Sequence, residues 1–170
     1  MSRTVRTLLS TVIAIGVLVV ASCGSEPERV EVTDAMKAQA LETIEAGEMP
    51  DVLRWEMEET DRGVRYVELV PGSGPNAWFN DDVIVHYYLW LTDGTLVDSS
   101  RPEGVVTPFD FTVGEGRVIE GWDEIIRQMN EGSEVIAVVP WELGYGRSGR
   151  RGIPGRSDLV FYIRLVRIRS

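Results

Sequence analysis

His86 is the only histidine and Cys23 the only cysteine of the chain, and that scarcity removes the commonest polar chemistries. A nucleophilic triad lacks its usual general base, and multi-histidine or multi-cysteine metal clusters lack their ligands. His86 alternates with Tyr87 along a strand-like run, so the two point to opposite faces and His86 is expected to be structural or on the surface. Acidic neighbours such as Glu58 and Glu59, or Asp81 and Asp82, point apart for the same reason and read as solvated faces rather than acid–base pairs. The glycine-rich GEGRVIEG lacks the lysine and hydroxyl residue of a phosphate loop. What remains is apolar and aromatic: Tyr87 within VHYYLWLTDGTLVDSSR, then Phe109, Phe111 and Trp122 within TPFDFTVGEGRVIEGWDEIIRQM. A small antiparallel sheet and one covering helix would gather these rings into a single pocket. Ordinary core packing would use the same rings, because large aromatics dominate cores.

One reaction suits an aromatic pocket with little titratable chemistry. Rotation about an X-Pro bond faces an amide-resonance barrier of about 18–20 kcal/mol and takes tens to hundreds of seconds unaided. No bond forms or breaks, so no nucleophile, base or metal is needed. The twisted transition state has lost conjugation and is less polar than either planar isomer, which a dry pocket favours. To reach milliseconds the pocket must supply about 7 kcal/mol more to the twisted state than to the ground state. Hydrophobic grip on the proline ring is the same before and during rotation, so the difference has to come from desolvation and from hydrogen bonds suited to the twisted geometry.

The elements that would position these residues follow from periodicity. Alternation predicts strands near Leu53 to Glu58, Gly63 to Val70, Val83 to Leu91, Thr107 to Thr112, Glu134 to Pro140 and Leu159 to Arg167. In the last of them Leu159, Phe161, Ile163 and Leu165 share one face, expected to be core, and Tyr162 and Arg164 the other, expected to be wet. Trp122, Ile125, Ile126 and Met129 fall instead at helical spacing. Asp123 and Glu124 suit the first turn of that helix and Gly132 its end. A further short acidic helix is expected over Thr33 to Glu48, with Met36, Ala40 and Ile44 on one stripe and Thr33 or Asp34 as cap. A solvated spacer with some helicity is the other reading of that segment.

The first residues belong to targeting. Arg3 and Arg6 precede an uncharged run from Leu8 to Val20, too short for a membrane-spanning helix and of the length of an export signal. Val20-Ala21-Ser22-Cys23 resembles a bacterial lipobox, in which the cysteine is acylated and becomes the first mature residue. A plain signal peptide with an incidental cysteine is the alternative. The division expected is a signal over residues 1–22, a tether and acidic helix over 23–50, and a folded domain over 51–170. The chain has 17 Lys plus Arg against 27 Asp plus Glu, and without Arg3 and Arg6 the balance is more acidic still. So acidic a body argues against nucleic acid as partner. Membrane attachment would therefore come from acyl chains on Cys23 rather than from a basic patch.

The two aromatic stretches, together with LGYGRSGRRGIPGRSDLVFYIRL, resemble the FKBP-type peptidyl-prolyl cis-trans isomerases over about Gly63 to Arg169. The resemblance implies an α+β fold, a twisted antiparallel sheet of five or six strands wrapped around one short helix, needing no cofactor or metal. It implies that Tyr87, Phe109, Trp122 and Phe161 line the proline pocket with Trp122 as floor. Val118 and Ile119 would form a wall, with the Ile119 N–H holding a substrate carbonyl. Asp98 and the Tyr145 hydroxyl would act at the rim as catalytic groups beside Tyr87, and Phe111 and Ile153 would complete the binding set. Val97, Leu143 and Arg150 depart from the family's usual phenylalanine, tyrosine and histidine; the aromatic area lost at Val97 implies a wider pocket, and reduced rather than absent activity is expected. The expected function is acceleration of X-Pro rotation in exported proteins at a bacterial cell envelope, on the outer membrane where the host has two. Partners would be proline-containing polypeptides and macrolide ligands. A chaperone or scaffold module with little isomerase activity is the alternative.

Overall fold

Two long β-favouring runs pair along their whole length and form the centre of the molecule. They are β3 (Asp82–Leu91) and β7 (Leu159–Arg169), aligned antiparallel from Asp82 opposite Arg169 to Leu91 opposite Leu159. The computed structural model describes residues 28–101 and 106–169; Cys23 and the export signal lie outside them. In chain order the remaining elements are α1 (Asp34–Glu45), β1 (Glu58–Glu59), β2 (Arg65–Val70), β4 (Leu96–Ser99), β5 (Phe109–Thr112), α2 (Glu120–Ile126) and β6 (Glu134–Val139). The sheet runs β1-β2-β6-β7-β3-β4, with every pairing antiparallel. β5 shares with β4 the outer edge of β3, lying opposite Asp82–Val85 while β4 lies opposite Tyr88–Trp90. Seven strands thus fill six positions.

The inner face of the sheet wraps α2. Val83, Val85 and Leu89 of β3, Val135, Ala137 and Val139 of β6, and Phe161, Ile163 and Leu165 of β7 are buried against Trp122, Ile125, Ile126 and Met129. The helix is shorter than its apolar stripe suggested. It spans seven residues with Arg127 as its C-cap, and Met129 is carried into the core by a tighter turn in which its N–H bonds the Ile126 carbonyl at 3.0 Å. Gly132 does not end the helix; it takes a left-handed φ of 92° in the turn entering β6. Glu124 is not in the first turn, which begins at Glu120, and it is buried beside the Arg127 guanidinium at 2.9 Å. Gly121 is needed where it stands, because a Cβ there would run into Cγ1 of Val139. Its absence lets the start of α2, and so Trp122, settle against the sheet.

The outer face was expected to be wet and is a second core. Val67, Leu69, Tyr88, Trp90, Ile136, Val138, Val160 and Tyr162 are buried there beneath Ala40 and Ile44 of α1 and beneath Val52 and Trp55. The Trp90 indole N–H donates to the Gly47 carbonyl at 3.2 Å, satisfying its one polar group in that burial. α1 forms where predicted, with the Thr33 hydroxyl accepting the Met36 N–H. The strand expected over Leu53 to Glu58 is not formed. Those residues run through turns to a single parallel bridge between Val30 and Trp55, and only Glu58–Glu59 pairs, with β2. Leu53, Trp55 and Met57 pack instead against the core on the back of the sheet, next to the buried Val52.

Candidate functional site

A cleft of about 620 Å³ opens where the inner face of the sheet meets the start of α2 and the loop after β6. Its floor is Trp122, 4% exposed and surrounded by rings. Tyr87, Phe109 and Phe161 meet it edge to face at 5.2, 5.9 and 5.4 Å, and Phe111 tilts against it at 5.6 Å. Edge-to-face contacts align the positive ring edge with a neighbour's negative face, which fixes ring orientation as well as filling space. The Trp122 indole N–H finds no acceptor among the described residues, so this buried floor keeps one donor unsatisfied.

The rim is polar and cross-linked. The Tyr87 hydroxyl donates to Oδ2 of Asp98 at 3.0 Å, across the β3–β4 pair, and Oδ1 of Asp98 accepts the Ser99 N–H at 2.8 Å. Arg150 completes the chain: its Nη1 donates to the Tyr145 hydroxyl at 3.0 Å, its guanidinium lies 4.6 Å over the Tyr145 ring, and its Nη2 is 4.0 Å from Asp98. Because the Tyr145 oxygen accepts from Arg150, its own proton is left free to point into the cleft. Burial, and then the bond to Asp98, push the Tyr87 phenol far above its ordinary range; burial likewise raises Tyr145. Both hydroxyls are therefore neutral donors at any physiological pH.

Val118 and Ile119 stand on the wall entering α2, Ile119 as its N-cap residue with extended backbone. The Ile119 N–H makes no hydrogen bond to another described residue, as the first donors of a helix lack intrahelical partners. The opposite wall is the 144–156 loop, folded on itself by paired bonds between Arg150 and Ile153 and by the Arg156 N–H on the Gly146 carbonyl. At Gly155 a Cβ would strike the Arg147 carbonyl oxygen.

Of the residues expected here, Tyr87, Asp98, Phe109, Val118, Ile119, Trp122, Tyr145 and Phe161 line the cleft together. Phe111 and Ile153 do not. Both are core residues, 2% and 3% exposed, and Phe111 supports the site from behind by stacking on Phe109 at 5.7 Å. Cys23 lies outside the described residues. Leu89, Gly116, Arg117, Glu120, Gly144 and Arg150 also line the cleft and were not foreseen as site residues. The arginine-rich run beside Tyr145 was the one available signal. Glu120 is held by Arg62, a pairing across the chain with no local signature.

His86 stands apart from this site. Its Nδ1 lies 3.2 Å from the Ser100 hydroxyl, which in turn accepts the Tyr87 N–H. Burial, with Arg101 and Arg164 nearby, lowers its pKa.

A six-position antiparallel sheet wrapped around one short helix, with an aromatic cleft between them, defines the class of FKBP-like α+β proteins. Residues 74–166 match the family model of the FKBP-type peptidyl-prolyl cis-trans isomerases, and the chain belongs to that family. The peptidyl-prolyl cis-trans isomerase Fkbp12 of Drosophila melanogaster is 40% identical over 108 residues, 62% of this chain and 98% of that protein. The FK506-binding protein of Neisseria meningitidis serogroup B is 37% identical over 107 residues, 62% of this chain and 96% of its own length. Among solved structures, the crystal structure of FkpA from Escherichia coli superposes with a TM-score of 0.63 at 30% identity, covering 79% of this chain and 60% of that one.

Proposed function

We propose that the cleft accelerates X-Pro rotation in exported proteins without covalent chemistry, and that acylated Cys23 holds the enzyme at the envelope, on the outer membrane of a two-membrane host. The observation that carries the catalytic part is the ring cage on Trp122, closed at its rim by the Tyr87–Asp98 bond. The proline ring would sit on Trp122, and the preceding carbonyl would turn toward the carboxylate rim as its oxygen loses negative charge. Tyr87 fixes the orientation of Asp98. The Ile119 N–H and the Tyr145 hydroxyl are the free donors that would hold flanking carbonyls of the substrate, or of an FK506-type macrolide competing for the same cleft. The anchor is supported by sequence alone, through Arg3, Arg6, the uncharged run after them and the position of Cys23. Among the described residues no helix is long and apolar enough to cross a membrane.

The test is cis–trans relaxation of a short X-Pro peptide. Wild type should accelerate it, Asp98→Val should lose about tenfold, and Tyr87→Phe, deprived of one hydrogen bond to a carboxylate, about three- to tenfold. Identical relaxation with and without protein would leave a binding module in place of an enzyme. For the anchor, the mass of the membrane-extracted protein should show diacylglycerol on Cys23, and Cys23→Ser should move the protein to the soluble fraction.

A further inference from the structure

The charge at the cleft mouth runs against the charge of the protein. The chain carries ten more acidic than basic residues, yet residues 143–157 contain Arg147, Arg150, Arg151 and Arg156 and no Asp or Glu. This loop is the one that places Gly144, Tyr145 and Arg150 on the cleft wall, and Arg117 stands on the wall opposite, beside Val118. All five arginines are exposed. The two carboxylates lining the same cleft are already engaged, Asp98 by Tyr87 and Arg150, Glu120 by Arg62. Arg117, Arg147, Arg151 and Arg156 make no ion pair within 4.0 Å to another described residue. The nearest acids in sequence are the exposed Glu115, Glu142 and Asp158, the last accepting the Trp141 N–H at 3.0 Å, three counter-charges against the five arginines. The loop is also pinned internally by the Arg150–Ile153 pair and the Arg156–Gly146 bond, so its charges are displayed from a fixed backbone.

We propose that this arginine collar selects X-Pro segments flanked by Asp or Glu. The inference rests on the isomerase reading of the cleft and adds its substrate class. Opposite charge across a rim raises encounter rate and discriminates between partners more than it adds affinity, and it weakens with salt. An acidic segment also matches the geometry. Arg117 and Arg150 line a concave, aromatic-floored cleft that takes one ring and a short stretch of chain, and Arg147, Arg151 and Arg156 extend the positive charge along the loop that forms one of its walls, whereas an anionic surface would need the cations spread over a flat face.

The test compares three peptides, Ala-Glu-Leu-Pro-Phe-Glu and its versions with Gln or Lys at both Glu positions, on the full chain. Cis–trans relaxation gives kcat/KM, and anisotropy of labelled peptides gives Kd in the same buffer. The Glu peptide should exceed the Lys peptide about tenfold at low salt and less than about threefold in 0.5 M salt, with Gln between. Arg117→Gln combined with Arg151→Gln should bring the low-salt ratio down to about threefold. Equal values for the Glu and Lys peptides, in both readouts, would overturn the collar. Displacement of the Glu peptide by proline-free polyglutamate at equal concentration would overturn it too, reducing the loop to a general anion patch. Charge-ranked Kd values without acceleration of any peptide would keep the selectivity and remove the isomerase reading.

Discussion

Trp122→Phe is expected to leave the fold nearly as stable as before while weakening the hold of the cleft on its substrate. The indole N–H is buried without an acceptor among the described residues, and a buried unsatisfied donor costs about 1–3 kcal/mol. Phenylalanine removes that donor. Against this, the smaller ring leaves roughly 40 Å³ unfilled, which costs about 1 kcal/mol at 24 cal/mol per Å³. The edge-to-face contacts with Tyr87, Phe109 and Phe161, at interplanar angles of 78°, 76° and 78°, are available to a phenyl ring in the same place. The two changes nearly cancel, so the urea midpoint should move by less than about 1 M in either direction.

Function should respond differently. A floor smaller by roughly 40 Å² of apolar surface gives the substrate ring about 1 kcal/mol less, close to a fivefold loss of affinity. That contact is made equally with the planar and the twisted amide, so the loss belongs in KM and not in kcat. Peptide relaxation over a range of substrate concentrations separates the two. A fall in kcat at unchanged KM would show that the indole acts on the twisted state itself. A midpoint lowered by well over 1 M would show that its N–H is satisfied after all. Either result refutes the reasoning.

Two further outcomes probe the surroundings of the site. Ile44→Ala removes a side chain that is 2% exposed between α1 and the back of the sheet, and should lower stability by about 2–4 kcal/mol in urea unfolding while the peptide relaxation rate below the transition stays as in wild type; a loss under about 0.5 kcal/mol would mean that α1 is not held there. His86 has its folded pKa lowered by burial and by the charges of Arg101 and Arg164, so its neutral form is favoured. Its share of stability is therefore present above about pH 6.5, the ordinary value, and is lost as pH falls through the folded pKa. The urea midpoint of the wild type should drop more than that of His86→Gln between pH 7.5 and 5, and parallel curves would count against the shift.

What was legible in the sequence is what repeats locally. The alternation of Val83, Val85, Tyr87 and Leu89, and the helical spacing of Trp122, Ile125 and Ile126, put Tyr87 and Trp122 on facing surfaces before any coordinates, and the two rings do meet at 5.2 Å. β4 has only four residues and follows the turn at Asp93 and Gly94, so it carries no period of its own and exists by pairing with β3. Leu53, Trp55 and Met57 alternate as a strand would, but only Trp55 finds a backbone partner, in its bridge to Val30, while the pairing beside β2 is taken by Glu58 and Glu59. Arg150 reads as a departure from the family, and its bond to Tyr145 and its approach to Asp98 depend on how the 144–156 loop folds back, which no spacing encodes. Phe111 and Ile153 show the converse. Resemblance assigned them to the pocket, whereas the inward side of β5 and the turn of the loop put them in the core behind it.

The two cores bear on one another through β3. Tyr87 faces the cleft, and its chain neighbour Tyr88 faces the back, where it stacks at 5.3 Å on Trp90 beneath the segment that follows α1. A strand buried on both sides cannot slide by one residue without driving Tyr87 into the back core and Tyr88 into the cleft. The Tyr87–Asp98 bond depends on that register, because Leu89 opposite Asp98 and Tyr88 opposite Ser99 are what bring β4 to the rim. Residues 28–57, remote from the cleft, therefore stabilise its geometry without touching it. Their loss would be felt first in the order of the rim, while the rings around Trp122, packed between α2 and the inner face of the sheet, keep their places.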